Sequence, residues 1–162
     1  MTVRPASLDD AAAIARIYSA GIAERIATFE TEPRTAEDVR PWFENSLPRI
    51  VVEIDGQVIA YAAAFPYSDR CCYGGVAEFS VYVAPETRRM GAGRLAMIGL
   101  IDAARGAGLH KLISRVFPEN VPSLSLLRSL GFREVGVHEK HGKLDGHWRD
   151  VIAVERLIPE NL

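Results

Sequence analysis

The residues with the most evident chemistry lie in one short run, Arg88-Arg89-Met90-Gly91-Ala92-Gly93-Arg94, between an extended segment ending at Val83 and a helical pattern beyond. Glycines let the backbone approach an oxyanion closely, and the unpaired amides of a helix start point toward such a ligand. Arg88, Arg89 and Arg94 add cationic donors. The run is therefore an expected cradle for a phosphate-like anion, although a solvated basic turn capping a helix accounts for the same residues. Just upstream, alternation along Val76–Val83 puts Glu78, Ser80 and Tyr82 on one strand face and Ala77, Phe79, Val81 and Val83 on the other. A carboxylate there is either a proton acceptor facing a site or part of a wet strand face.

Two other chemistries compete for these and neighbouring residues. Gly91-Ala92-Gly93-Arg94-Leu95-Ala96 also fits the dinucleotide pattern G-x-G-x-x-A. In that pattern the first glycine follows its strand directly and an acidic residue stands about twenty positions later. Here seven residues intervene after Val83, Glu119 comes too late, and no repeated βαβ unit surrounds the run, which argues against a nicotinamide or flavin. Cys71-Cys72 has the thiol pair of a soft-metal or arsenic(III) trap, but also reads as two small residues in a loop. His138, His141 and His147 have no cysteine or acidic cluster beside them, so no metal site is expected.

These residues need a scaffold, and the hydrophobic periods supply one. Ser7 and Asp10 form a capping box ahead of Ile14, Ile17, Tyr18, Gly21 and Ile22 at helical spacing. Thr35 and Asp38 repeat the pattern before Val39, Trp42 and Phe43, a shorter helix, with a loop from Glu24 to Arg34 between the two. Ile50–Ile54 and Gln57–Phe65 are extended runs joined by Asp55-Gly56, a hairpin turn that tolerates positive φ. A loop from Pro66 to Gly75 leads into the strand Val76–Val83. A helix over Gly93–Ala107 with Gly108 as its cap, a strand over His110–Val116 and a helix over Ser123–Leu130 closed by Gly131 follow. Strands Phe132–His138 and Trp148–Leu157 complete the order β-α-α-β-β-β-α-β-α-β-β, an α/β (α+β) mixed sheet with helices on its faces.

Bulk properties narrow the classes. A length of 162 residues suits one domain, expected to span 1–162, and 48% hydrophobic with 25% charged residues belongs to a soluble globular chain. A net charge of -2 gives no general attraction to nucleic acid or anionic membranes. No apolar run reaches the roughly 18 residues of a membrane span, and Met1–Asp10 lacks a signal-peptide layout. With only two adjacent cysteines, a reduced cytoplasmic setting is the expectation.

Arg88-x-x-Gly91-x-Gly93 after a strand resembles the acetyl-CoA pyrophosphate motif [Q/R]-x-x-G-x-[G/A] of the GNAT N-acetyltransferase superfamily. Arg4-Pro5, Phe29-Glu30-Thr31-Glu32-Pro33, the Val76–Val83 strand and Asp145-Gly146-His147-Trp148-Arg149-Asp150-Val151 are similar to the phosphinothricin and arsinothricin N-acetyltransferase group. The Val76–Val83 and Arg115-Val116-Phe117-Pro118-Glu119-Asn120 segments stand closest to its arsinothricin branch.

The resemblance implies acetyl-CoA as cosubstrate and a mostly antiparallel sheet whose central strands splay to admit the pantetheine arm. It assigns the pyrophosphate to Arg88, Arg89, Met90, Gly91, Ala92, Gly93 and Arg94, and the pantetheine to the backbone of Val81 and Val83, with Asn120 and Ser123 in the downstream N-x-x-[A/S]…G-F pattern ending at Gly131-Phe132. Asn120 also reads as a simple helix cap. Glu78 falls on the glutamate that takes the amine's proton, directly or through water. Many members place a tyrosine where this chain has Leu127, so no general acid is assigned; a thiol of pKa about 8.5 leaves tolerably as thiolate. For a glutamate-like acceptor with an anionic tail, Arg70 is the first candidate, with Tyr73 beside it, and Lys143 and Arg149 are weaker ones. Phe29 and Glu30 are expected to wall the pocket, while Trp148 reads equally as a pocket wall and as a buried packing residue. The expected acceptor is arsinothricin or phosphinothricin, their acetylation conferring resistance. Methionine sulfone or sulfoximine, a polyamine, a protein N-terminus, or a non-catalytic acyl-CoA-binding role remain alternatives. A homodimer is implied, and no nucleic acid or membrane partner.

Overall fold

A computed structural model describes residues 1–162. In chain order it contains β1 (Thr2–Pro5), α1 (Ala11–Glu24), α2 (Ala36–Val39), β2 (Arg49–Ile54), β3 (Gln57–Pro66), β4 (Val76–Val83), α3 (Ala92–Gly106), β5 (Lys111–Val116), α4 (Val121–Ser129), β6 (Arg133–Leu144) and β7 (His147–Leu157). The element order is the one expected from the sequence. All seven strands join one sheet, ordered β1-β2-β3-β4-β5-β7-β6. Every pairing is antiparallel except β4 with β5, which α3 connects as a crossover helix. No helix is long and apolar enough to cross a membrane.

Helices cover both faces of the central strands. Ala60, Ala62 and Ala64 of β3 pack with Ala77 and Phe79 of β4 beneath Met97, Leu100, Ile101 and Ala104 of α3. The alternate residues Tyr61 and Ala63, with Val51 and Val58, pack under Ile14, Ala15 and Ile17 of α1 and Val39 of α2. This two-sided burial explains why β3 reads as a continuous apolar run. Its alanines keep α3 close. At Gly99 an added Cβ would stand 3.0 Å from both Ile50 and Val3.

The local signals mostly translate directly. Ser7 N donates to Asp10 Oδ2 at 2.8 Å, and the box opens a 3-10 turn over Leu8–Asp10 that runs into α1. Thr35 and Asp38 cap α2, which Pro41 helps convert to a 3-10 turn over Arg40–Glu44. Asp55 and Gly56 take positive φ in the β2–β3 turn.

One expectation requires correction. The strand expected to stop at His138 continues to Leu144, and Asp145-Gly146 makes a second positive-φ hairpin turn into β7, which begins at His147. Nearly all of β6 is solvent-exposed at the sheet edge, so Glu139 to Lys143 carry no apolar alternation to reveal a strand. A register irregularity between His138 and Gly142, where Lys140 N donates to Asp150 Oδ1 at 2.7 Å, obscures the pattern further.

Arg4 fastens the start of the fold. Its guanidinium donates to both carboxylate oxygens of Asp10, at 2.8 and 2.9 Å, and to Glu53 of β2. Asp10 is the one buried charged residue, and the Arg4 hydrogen bonds hold its carboxyl below the ordinary aspartate range, against the opposing effect of burial. Because the folded pKa is lowered, this stabilisation is complete above the unfolded value of about 4 and is lost as the pH falls through the folded one. Asp10→Asn is expected to cost about 1–3 kcal/mol at neutral pH. Urea denaturation from pH 7 to 3 should show the gap from wild type narrowing toward the acid end.

Candidate active site

The β4–β5 pairing has only three rungs, Val76 with Lys111, Ala77 with Leu112 and Glu78 with Ile113. Beyond Glu78 the strands part. Ser114 then reaches across with its side chain, Oγ donating to the Phe79 carbonyl at 3.0 Å. From Phe79 to Val83, β4 is paired with β3 alone. The resulting cleft is lined by Phe79 to Tyr82, Ser114 to Val116, Asn120, Ser123 and Leu127, with Ala27 above.

The glycine loop lies at the end of this cleft. An added Cβ at Gly93 would stand 3.1 Å from Val83 and 3.5 Å from Leu126, which sets the start of α3 between β4 and α4. Gly91 is the α3 cap at φ 85°, and Leu95 N donates to its carbonyl at 3.1 Å. The amides that begin α3 precede the first intrahelical bond and are therefore available to an anion. Of the three arginines, Arg88 is paired with Glu24 at the end of α1, Nη1 to Oε2 at 2.6 Å, and this bond lowers the Glu24 pKa. Arg94 donates to Ser129 of α4 at 2.8 Å, while Arg89, at φ 65°, is uncommitted.

On the opposite face of β4, Glu78, Ser80 and Tyr82 point toward α1 and α2 as alternation requires. A cavity of about 470 Å³ opens there, lined by Tyr18, Thr28, Arg34, Asp38, Trp42, Phe65, Ser80 and Tyr82. Ser80 and Tyr82 line both this cavity and the cleft. Glu78 lines neither void but precedes Ser80 on the same face, with Phe65 as its cross-strand neighbour. It is partly exposed, and Arg115 Nη2 lies 3.6 Å from its Oε1. Tyr82 stacks on Tyr61 at 5.7 Å. Burial, reinforced by Tyr18, pushes the Tyr82 phenol above its ordinary value, so it is neutral at physiological pH.

The expected residues fall into three groups. Val81, Asn120 and Ser123 line the cleft, Val83 closes its end, and Asn120 caps α4 by accepting from Ser123 N at 3.4 Å. Arg70 and Tyr73 lie in the β3–β4 loop around the exposed Cys71 and Cys72, outside both voids, with the Arg70 guanidinium 5.8 Å over the Tyr73 ring. Phe29 packs edge-on against Phe117 beneath Leu144 and Val151, and Glu30 is held by Arg34 at 2.6 Å. Lys143 lies over the Trp148 ring on the exposed β6–β7 hairpin, and Arg149 covers Phe117 while bonding Glu119. No three His, Cys, Asp or Glu side chains gather as a metal site.

Sequence reasoning passed over Tyr18, Arg34, Asp38, Trp42, Phe65, Ser114, Arg115 and Glu24. The aromatic ones follow core periods and carry no separate signal. Ser114 and Arg115 become visible only when the β4–β5 register places them beside Phe79 and Glu78.

A strand pair that opens beside a helix N-terminus, with a carboxylate on the last rung before the opening and a second cavity on the other face, has the layout of a group transferase taking a phosphorylated donor from one side and its acceptor from the other. Residues 14–132 match the acetyltransferase (GNAT) family. A phosphinothricin N-acetyltransferase of Streptomyces coelicolor is 33% identical, the match covering 95% of this chain and 94% of that protein. An L-methionine sulfoximine/L-methionine sulfone acetyltransferase of Salmonella typhimurium is 29% identical, covering 99% and 96%. The crystal structure of a GNAT phosphinothricin acetyltransferase from Sinorhizobium meliloti in complex with acetyl-CoA superimposes with a TM-score of 0.89 at 28% identity, covering 97% and 88%. The chain belongs to the GNAT acetyltransferase family. It is an acetyl-CoA-dependent N-acetyltransferase of the phosphinothricin and methionine sulfoximine type.

Tyr82, the wall between cleft and cavity, is held in place by Gly21 of α1, where an added Cβ would stand 2.6 Å from two ring carbons. Gly21→Ala gains about 1 kcal/mol in helix propensity but forces overpacking worth about 1–3 kcal/mol. A net loss of stability is expected in chemical denaturation, together with reduced acetyl transfer.

Proposed function

We propose that the chain, as a single domain, acetylates the α-amine of a small glutamate-like amino-acid analogue, arsinothricin or phosphinothricin, with Glu78 as the general base. The observation that carries this reading is that Glu78 is the last rung before β4 and β5 part and lies one alternation from Ser80, which lines both the cleft and the cavity. Acetyl-CoA lies with its pyrophosphate on Arg88 to Arg94 and the α3 amides, and its pantetheine along the free edge of Val81 and Val83. Asn120 and Ser123 border that arm.

Glu78 takes a proton from the acceptor ammonium, directly or through water, and the freed nitrogen attacks the thioester carbonyl. A backbone amide of β4 stabilises the oxyanion. Collapse breaks the C–S bond and releases the thiolate of CoA, and the nitrogen gives up its second proton to solvent, leaving the neutral amide. Leu127, buried in the cleft wall, supplies no proton, and the thiolate needs none to leave. The cavity volume suits an amino-acid side chain rather than a folded protein terminus. Arg70 and Tyr73, and at the hairpin end Phe29, Glu30, Lys143 and Trp148, form the rim through which the acceptor and its anionic tail enter. Resistance to the amino-acid toxin, a cytoplasmic setting and a homodimer complete the reading.

Thiol release from acetyl-CoA with arsinothricin, phosphinothricin, methionine sulfone and a polyamine tests the acceptor. At least one amino-acid analogue should exceed the polyamine about tenfold or more in kcat/KM. Uniformly low rates would place the natural acceptor elsewhere. Glu78→Gln should lower kcat by about 10²- to 10⁴-fold with little change in acetyl-CoA binding. Wild-type turnover by this variant across alkaline pH would remove Glu78 from the mechanism. Arg89→Ala should raise the acetyl-CoA KM about tenfold, less so at high salt, because its uncommitted guanidinium meets the pyrophosphate.

A further inference from the structure

All but three of the arginines donate a hydrogen bond or sit in an ion pair of 3.4 Å or less. The exceptions are Arg70 in the β3–β4 loop, Arg89 in the glycine loop, and Arg115 on β5. Arg115 lines the cleft, and its one charged neighbour is Glu78, at 3.6 Å, beyond hydrogen-bonding reach. Ile113 is the register partner of Glu78, so Arg115, one alternation further along, projects on the same face of the sheet. The guanidinium fork is therefore held beside the base with its N–H donors unspent.

We propose that Arg115 binds the α-carboxylate of the acceptor, and that Glu78 and Arg115 together read the zwitterionic head of an α-amino acid. Within such a molecule the nitrogen and the carboxylate oxygens lie about 3 Å apart, as standard bond lengths require. The anion and cation of the protein stand at nearly the same separation, 3.6 Å, with opposite polarity. An α-amino acid docked head-on gives its ammonium to Glu78 and its carboxylate to Arg115. It replaces one loose ion pair by two close ones and brings the nitrogen to the base. The other cations on this side are engaged, Arg34 with Glu30 at 2.6 Å and Arg149 with Glu119 at 3.2 Å. Arg70 remains free for a second anion on the acceptor's tail.

The inference rests on the proposed amino-acid acceptor, and its test separates the two. Methionine sulfone and its α-carboxamide are compared as acceptors by kcat/KM in wild type, Arg115→Gln and Arg115→Lys. Wild type should prefer the acid, and Arg115→Gln should reduce the acid-to-amide ratio about 10- to 100-fold, mainly through acceptor KM. Arg115→Lys should restore part of that ratio by charge without the fork. An equal loss on both acceptors, or a loss expressed in the acetyl-CoA KM, would overturn the assignment. If wild type acetylates neither compound, the proposed reaction fails. Calorimetric binding of methionine sulfone to the CoA-loaded protein then decides for Arg115: about tenfold weaker binding in Arg115→Gln sustains it. Equal binding, or none to wild type, rejects it.

Discussion

The structure depends on a ladder that stops early. A parallel strand pair normally continues until one strand ends, because every unpaired buried amide or carbonyl is costly. Here β4 and β5 separate after Glu78 and Ile113, and the Ser114 hydroxyl takes over the bond to Phe79 that the backbone no longer makes. The edge of β4 left open is one wall of the cleft. A parallel pair also requires a crossover, and here that crossover is α3, whose first turn settles between Val83 and Leu126 at the end of the same cleft. One break in pairing thus creates the slot and sets a helix N-terminus at its end.

The separation is supported from both faces of the sheet. Beneath α3 and α4, Phe79, Leu112, Val116, Leu124, Leu127 and Phe132 form a continuous apolar layer that holds the strands in their parted positions. Beneath α1 and α2, the rings of Tyr18, Trp42, Tyr61 and Tyr82 meet at 5.1 to 5.9 Å, and Tyr18, Trp42 and Tyr82 line the cavity there. The end of α1 ties the two sides together. Glu24 holds Arg88 of the glycine loop, and Arg25 reaches Asp145 in the β6–β7 turn at 3.3 Å. Ala27 then borders the cleft and Thr28 the cavity. The segment that looked like a plain loop is a strap across both sites.

Elements whose information is local were legible: the two capping boxes, the Asp55-Gly56 turn, the amphipathic α3 and the alternation of β4. Their signals depend on residues within one or two turns of chain. The far half of β6 was not legible, since an exposed edge strand buries nothing and has no period to display. Asp145-Gly146 carried the same turn chemistry as Asp55-Gly56 but lacked apolar flanks on its first arm. Asn120 shows a different limit. Its type served both a cap and a cleft residue, and it is both.

By itself the sequence determined an anion cradle, because a glycine loop entering a helix N-terminus is contiguous and its amides are aimed by local geometry. Its resemblance to the GNAT motif, not that geometry, pointed to acetyl-CoA. It determined equally that Glu78 shares a face with Ser80 and Tyr82, since strand alternation needs no partner. Only the tertiary structure decided what that face looks onto. The cavity draws Tyr18, Arg34, Trp42 and Phe65 from three segments far apart in the chain, and Arg115 reaches Glu78 through a register of three rungs. Such contacts arise from how faces pack, and residues that build a core and residues that line a pocket have the same apolar character until the packing separates them.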